Sequence, residues 1–364
     1  MRKQGLRLAV LLRSIALAAL LVAVPSPTAN AAATARAAFV PFEAFQDADP
    51  TIETGQSAWR LTQIDGAWAS QRGSPAIVVA TIDTGVDRGH PDLAGALLSG
   101  ASFVSAPASV CPEGDGEDDN SHGTHIAGII AAAGGESAGM AGVASGVRIL
   151  PVKALDCAGF GAVSDVASAI VWATDQGARI VNVSLGTTTD SPALEAAVRY
   201  AVDRDVLVVA AAGNCGTLTG RCRQQDQREY PAALPGVLAV GATDSSDEVA
   251  AFSTRGPQVA LTAPGVRIVS TVPSYGTYQS FHGGSLGYGE LTGTSQASAF
   301  VAGVAALVWS ARPSLTAREV FAVLTATADD LGVPGRDDVY GYGRVNALRA
   351  VRYAQVERRP VRPD

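Results

Sequence analysis

The chain has no excess of positive charge: 27 Lys and Arg stand against 34 Asp and Glu, a net charge of −7 over 364 residues. A nucleic-acid binder normally carries a basic stripe, so that class is excluded. Aromatic residues are scarce at 6%, while apolar residues reach 47% and glycines number 39. That balance implies a core packed from Ala, Val and Gly with many tight loops, and excludes a disordered or fibrous chain. There is no internal repeat and no linker-like break after Ser57, so one large domain accounts for the length. Only four cysteines occur, without the paired C-x-x-C spacing of a zinc site.

What is present begins with a targeting segment. Arg2, Lys3 and Arg7 make a positive start, Ser14 to Val24 is an apolar stretch, and Ala29-Asn30-Ala31 offers a small-x-small cleavage site. The apolar stretch falls short of the ~20 residues that span a bilayer. Residues 1–31 are therefore expected to be a cleaved signal peptide, and 32–56 a short leader or N-terminal arm. No later run of spanning length is expected, so the mature chain should be secreted and not held at a membrane. Export makes Cys111, Cys157, Cys215 and Cys222 candidates for disulfides. Four cysteines allow three connectivities; the short interval favours Cys215–Cys222, which leaves Cys111–Cys157.

From residue 57 to 355 apolar runs alternate with helical patterns. Strands are expected over Ala76–Ile82, Val147–Val152, Arg179–Ser184, Val206–Ala211 and Val237–Val240, each a continuous apolar run of the kind buried on both faces. Helices are expected over Gly123–Ala133, Val163–Gln176, Ser191–Asp203, Ser295–Ser310 and Thr316–Thr327. The fold class that follows is α/β: a three-layer, doubly wound, mostly parallel sheet with helices on both faces. Residues 356–364 read as a solvated tail.

Three short segments carry the chemistry: Asp83-Thr84-Gly85, His122-Gly123-Thr124-His125 and Gly293-Thr294-Ser295. A serine hydroxyl needs a base within hydrogen-bond reach, and the base needs a third group to hold its tautomer. Asp83 ends an apolar run, where open α/β sheets place reacting groups, although a turn Asp commonly does no more than cap. His122 stands at a helix start, where the dipole disfavours its charged form and leaves it able to accept a proton. His125 lacks the i, i+4 partner and adjacent Glu of a zinc helix, so it reads as a core residue; His90 and His282 have no motif. Ser295 opens a helix, the ordinary place of a capping serine, but also one where free N–H groups favour an oxyanion. Asn214, at the end of Ala211-Ala212-Gly213, could face the same oxygen as a second donor.

These motifs give the chain a resemblance to subtilisin-type serine proteases, within them to the thermitase-like secreted branch. It spans about Ser57 to Gln355 and includes His90-Pro-Asp-Leu, Asn182-Val-Ser-Leu-Gly, Ala263-Pro-Gly and Gly343-Arg-Val-Asn-Ala. The resemblance implies a serine endopeptidase that binds its polypeptide substrate as an extended strand between Gly159-Phe160-Gly161 and Ser184-Leu185-Gly186. It implies that Asp83 orients His122, that Asn214 and the Ser295 N–H form the oxyanion site, and that the protein is a monomer needing no cofactor for its chemistry. Some relatives bridge the regions of Cys111 and Cys157. A structural calcium is implied at Asp92 and Glu136, and the acidic run Glu113–Asp119 reads as a second oxygen-rich loop or a solvated one. An exported pseudoprotease and a dedicated maturation protease are the competing readings; the intact triad opposes the first and the missing anchor the second.

The chain also departs from the family pattern. Gln296 stands where many relatives have Met after the nucleophile, which removes an oxidation-prone sulfur. Ala299 stands where many have Pro, which excludes an X-Pro cis bond there. The leader is shorter than the folded, inhibitor-like propeptide of many relatives.

Overall fold

A computed structural model describes residues 57–105, 111, 117–133, 139–218, 222–281 and 284–356. The expected signal peptide and leader, the segment after Val356, Glu113, Glu136 and His282 lie outside them. The strands are β1 (Val78–Asp83), β2 (Ala101–Ser102), β3 (Arg148–Lys153), β4 (Ile180–Val183), β5 (Leu207–Ala211), β6 (Val237–Thr243), β7 (Val259–Pro264), β8 (Ile268–Thr271) and β9 (Tyr288–Leu291). The helices are α1 (Ser57–Leu61), α2 (Ile64–Trp68), α3 (His122–Ala131), α4 (Val163–Asp175), α5 (Pro192–Val202), α6 (Tyr278–Phe281), α7 (Thr294–Ala311), α8 (Ala317–Ala326) and α9 (Ala347–Val356).

Seven strands form one sheet in the order β2-β3-β1-β4-β5-β6-β7, and every pairing within it is parallel. β8 and β9 make a separate antiparallel pair. The continuous apolar runs have a direct cause. In β1, Val79 joins the core on one face while Ala80 and Ile82 join the core on the other. Alternate side chains thus enter two different apolar layers, and neither set can be polar. Helices α4 and α5 cover one layer; α3, α7, α8 and α9 cover the other. The three-layer, parallel α/β architecture is the one expected from the sequence.

The differences are local. The short pair β8–β9, the two-residue β2 and the last sheet strand β7 are not predicted by the sequence pattern, because few residues and mixed polarity give weak periodicity. Helix α8 begins where expected for a clear reason: Thr316 Oγ1 accepts from Glu319 N (3.2 Å) and Glu319 Oε2 accepts from Thr316 N (2.8 Å), a capping box. Helix α7 corrects a further expectation. By length and composition it is apolar enough to cross a bilayer, yet 89% of it is buried inside the protein. Its small residues let it run along β4, β5, β6 and β7 and against α3, so its apolar surface serves the core.

Candidate active site

Because the sheet is parallel, the carboxyl ends of β1, β3, β4 and β5 lie along one edge, where α/β sheets gather reacting groups. Asp83 is the last residue of β1, Ser184 follows β4, and Asn214 comes three residues after β5. The chain leaves β1 for β3 on one side and later returns to β4 on the other. The expected substrate edges, Gly159-Phe160-Gly161 after β3 and Ser184-Leu185-Gly186 after β4, therefore flank the strand that carries Asp83. Phe160 is exposed while Leu185 is fully buried.

Asp83 and His122 meet at 2.6 Å, Oδ1 to Nδ1, and both are buried. Asp83 Oδ1 also accepts from Thr84 N (2.7 Å). Burial pushes the Asp83 carboxyl above its ordinary value, and the attraction of His122 pulls it back. The approach of α3 to β1 depends on Gly123: a Cβ there would lie 2.1 Å from the Gly85 carbonyl oxygen and 3.2 Å from Asp83. No residue but glycine allows that contact.

Ser295 is the second residue of α7, with Gly293 as the flanking cap. It is thus inside the first turn and not itself the cap, and its backbone N–H is one of those a helix start leaves without an intrahelical acceptor. Its hydroxyl donates to the Ser184 carbonyl at 3.0 Å. Behind it, Ser298 Oγ donates to the Ser295 carbonyl (2.8 Å) and lies 3.0 Å from Ser184 Oγ, which accepts from Asn182 Nδ2 (2.6 Å). This hydroxyl cluster fixes the first turn of α7 against the end of β4.

Asn214 is held from one side. Its Oδ1 accepts from Thr294 Oγ1 (2.8 Å) and Thr294 N (3.2 Å). Two donors on one atom decide which end of the amide is oxygen and so which end donates. Sequence reasoning does not single out Thr294; its place between Gly293 and Ser295 is the one signal it leaves. The four cysteines pair as Cys111–Cys157 and Cys215–Cys222. Glu229 lies beside Cys215 and Cys222, but those sulfurs are bonded to each other and offer no thiolate to a metal.

Within the acidic run, Asp118 departs from the solvated reading, while residues 113–116 lie outside the described residues. Asp118 is fully buried and engaged by protein donors, while Asp119 pairs with the buried Lys153 at 2.5 Å. Asp92, the other candidate calcium ligand, spends its Oδ2 on Met140 N (2.9 Å) and the Tyr288 hydroxyl (2.9 Å). Calcium prefers six to eight oxygens. Glu136 and the loop around it, which would supply the remaining ligands, lie outside the described residues, and no step of the chemistry is assigned to the ion.

His125 lies one turn beyond His122 and is fully buried, its Nε2 2.9 Å from the Ile268 carbonyl. It is the core residue expected. Burial first, and the neighbouring His122 second, lower its pKa to about 3. The unfolded chain takes up this proton near pH 6.5 and the folded chain does not. Stability is therefore full above that value and is lost as pH falls toward 3, by of order 4–5 kcal/mol. Denaturant unfolding at pH 7, 5 and 4 checks this, in a Ser295→Ala background to prevent self-digestion. His125→Gln should show a shallower loss; parallel curves would refute the assignment.

Gln296 is also fully buried, and among the described residues neither its Oε1 nor its Nε2 meets a hydrogen-bond partner. Gln296→Met is expected to stabilise the fold by about 1–3 kcal/mol, because orphaned buried polar atoms are costly. The same change should shorten the half-life in dilute peroxide. An equal or longer half-life, measured by residual activity, contradicts the second part.

A buried acid–imidazole contact, a serine in the first turn of a helix packed on the imidazole's helix, and an amide beside it form an arrangement with known relatives. A subtilase family model matches residues 74–343. The chain belongs to the subtilase family. It is 42% identical over 293 residues to the thermophilic serine proteinase of Bacillus sp. (strain AK1), covering 80% of this chain and 66% of that protein. It is 39% identical over 305 residues to thermitase of Thermoactinomyces vulgaris, covering 84% of this chain and 99% of that one. Subtilisin Savinase of Lederbergia lenta is 39% identical over 296 residues, covering 81% and 98%. The thermitase-like resemblance read from the motifs holds, and the protein is a serine-type endopeptidase.

Proposed function

We propose that this subtilase is an exported endopeptidase that cleaves extended polypeptides through an acyl-enzyme on Ser295. The observation that carries the reading is the buried 2.6 Å contact between Asp83 and His122 on the helix that packs against α7. Asp83 accepts a hydrogen bond from the Nδ1–H group, which fixes the tautomer and directs the Nε2 lone pair outward as the base. The Ser295 hydroxyl, resting on the Ser184 carbonyl, turns to His122 when substrate binds. His122 takes its proton as the oxygen attacks the scissile carbonyl. The Asn214 amide and the Ser295 N–H receive the negative charge that develops on the carbonyl oxygen. His122 then protonates the leaving amine, and water repeats the sequence to release the acid.

The substrate backbone adds as a strand between Gly159–Phe160–Gly161 and Ser184–Leu185–Gly186, main-chain bonds supplying affinity and side-chain pockets preference. No cofactor enters these steps. Residues 57–355 form the catalytic domain of a monomer without nucleic-acid or membrane partners in its mature form. Two disulfides and the signal-like start support an oxidising, extracellular destination. A fluorophosphonate probe tests the reading: label should map to Ser295 and be absent from Ser295→Ala. Equal labelling of both proteins would end the assignment.

A further inference from the structure

We propose that Asp118 is a positioning residue that locks the Asp83–His122 pair in register and adds negative charge around it; this rests on the acyl-transfer reading above. Its side chain is fully buried and accepts five hydrogen bonds. Oδ1 receives Thr84 Oγ1 (2.8 Å), Asn120 N (3.0 Å) and Ser121 N (2.9 Å). Oδ2 receives Thr124 N (2.9 Å) and Thr124 Oγ1 (2.6 Å). The donors come from three places: the residue after Asp83, the turn before His122, and the first turn of α3.

An acid that only caps α3 would need Ser121 and Thr124 alone. The bond to Thr84 crosses to the end of β1. Thr84 in turn donates its N–H to Asp83 Oδ1 (2.7 Å) and accepts from Gly123 N (2.9 Å) on its hydroxyl. Asp118 therefore reaches both members of the pair through one residue each. Ser121, the residue before His122, sits at φ 132, a region L residues rarely adopt. Backbone of this kind persists only where the surroundings over-determine it. Here they do: the Ser121 N–H is held by Asp118, and its hydroxyl lies 2.7 Å from Thr277 Oγ1. The direction in which His122 leaves the turn is set by that conformation.

Charge is the second part of the role. Asp83 meets His122 from the end of β1, and Asp87 in the loop after it accepts from Gly89 N and from Ser274. Lys153 comes from β3, with Nζ on the Thr84 carbonyl (2.7 Å) and Asp119. Glu117, Asp118 and Asp119 come from the loop before α3, and His125 from α3 itself. α7 and β8, which also pack on α3, carry no charged side chain. Lys153 already pairs with Asp119, so the Asp118 carboxylate adds to Asp83 in favouring the protonated imidazole.

Asp118→Asn keeps the shape, removes the charge, and turns an NH2 group toward donors. We expect kcat to fall ~10–100-fold with KM within ~3-fold, since misplacing a catalytic group by a fraction of an ångström suffices. The acid limb of kcat/KM should move at least ~0.5 unit to lower pH, because a nearby anion has gone. A variant that is folded by circular dichroism but keeps the native kcat and acid limb overturns the proposal. Thr84→Val separates geometry from charge: kcat should fall several-fold with the limb unmoved, and Thr84→Ser should restore it. If Asp118→Asn does not fold, native kcat in Thr84→Val overturns the proposal alone. Ser295→Ala is assayed beside them. Full activity there would remove the acyl-transfer reading itself, whereas an inactive Ser295→Ala beside a native-like Asp118→Asn removes only the positioning role.

Discussion

Ser295→Ala is expected to lower kcat on a peptide substrate ~10⁶-fold while leaving the melting temperature nearly unchanged. That magnitude was set by another enzyme of this family and is used here as a precedent. The physical reason is that only the hydroxyl group is removed, and it is the proposed nucleophile of the covalent route. Its resting bond to the Ser184 carbonyl is a single neutral contact, worth about 0.5–1.5 kcal/mol. His122→Ala should cost as much, because in the proposed mechanism the Ser295 hydroxyl is not activated without its base. The double variant should then be no slower than either single one, since groups that act as a unit are not additive. Burst kinetics for the native enzyme and steady-state rates for the three variants check this. A double variant slowed by the product of the two single effects would mean that Ser295 and His122 act separately, which contradicts the triad.

The second large effect is at Asn214. Asn214→Leu is expected to reduce kcat ~10²–10³-fold with KM little changed, a loss of ~2.7–4 kcal/mol in transition-state stabilisation, again by precedent from a subtilisin. Timing is the reason: in the proposed role the donor meets full negative charge only after the carbonyl has been attacked, so binding of the ground state would barely feel its loss. Thr294 would fix the amide in advance, because its N–H and hydroxyl both hold Asn214 Oδ1. No orientation has to be found during the reaction. If Asn214→Leu raised KM and spared kcat, the side chain would be a substrate contact, and the oxyanion assignment would fall.

Much of the fold and of the candidate site is legible in the residues alone. The long apolar runs of β1, β3, β4, β5 and β6 predict strands buried on both faces, and the observed strands differ by a few residues where sheet pairing begins and ends. Helices α3, α4, α5, α7 and α8 are equally plain from periodicity and capping. The disulfide pairs follow the short interval between Cys215 and Cys222. Hidden features are those where local pattern and final environment disagree. Asp118 reads as part of an exposed acidic run, yet lies at 0% exposure. Gln296 stands out in the sequence only as a replacement for Met, yet its amide is buried without a partner among the described residues. α7 reads as one more helix beside the sheet, yet runs through the core.

The sequence by itself determined the alternation of strands and helices, the order Asp83, His122, Ser295, and the turn glycines that let them come close. These are local properties, written in spacing and residue type. Only the tertiary structure decided which oxygen of Asp118 holds which loop, which end of the Asn214 amide donates, and which carbonyl the Ser295 hydroxyl rests on. The reason is physical: hydrogen bonds between residues far apart in the chain depend on how parallel strands set their carboxyl ends side by side. Sequence spacing carries no record of that distance.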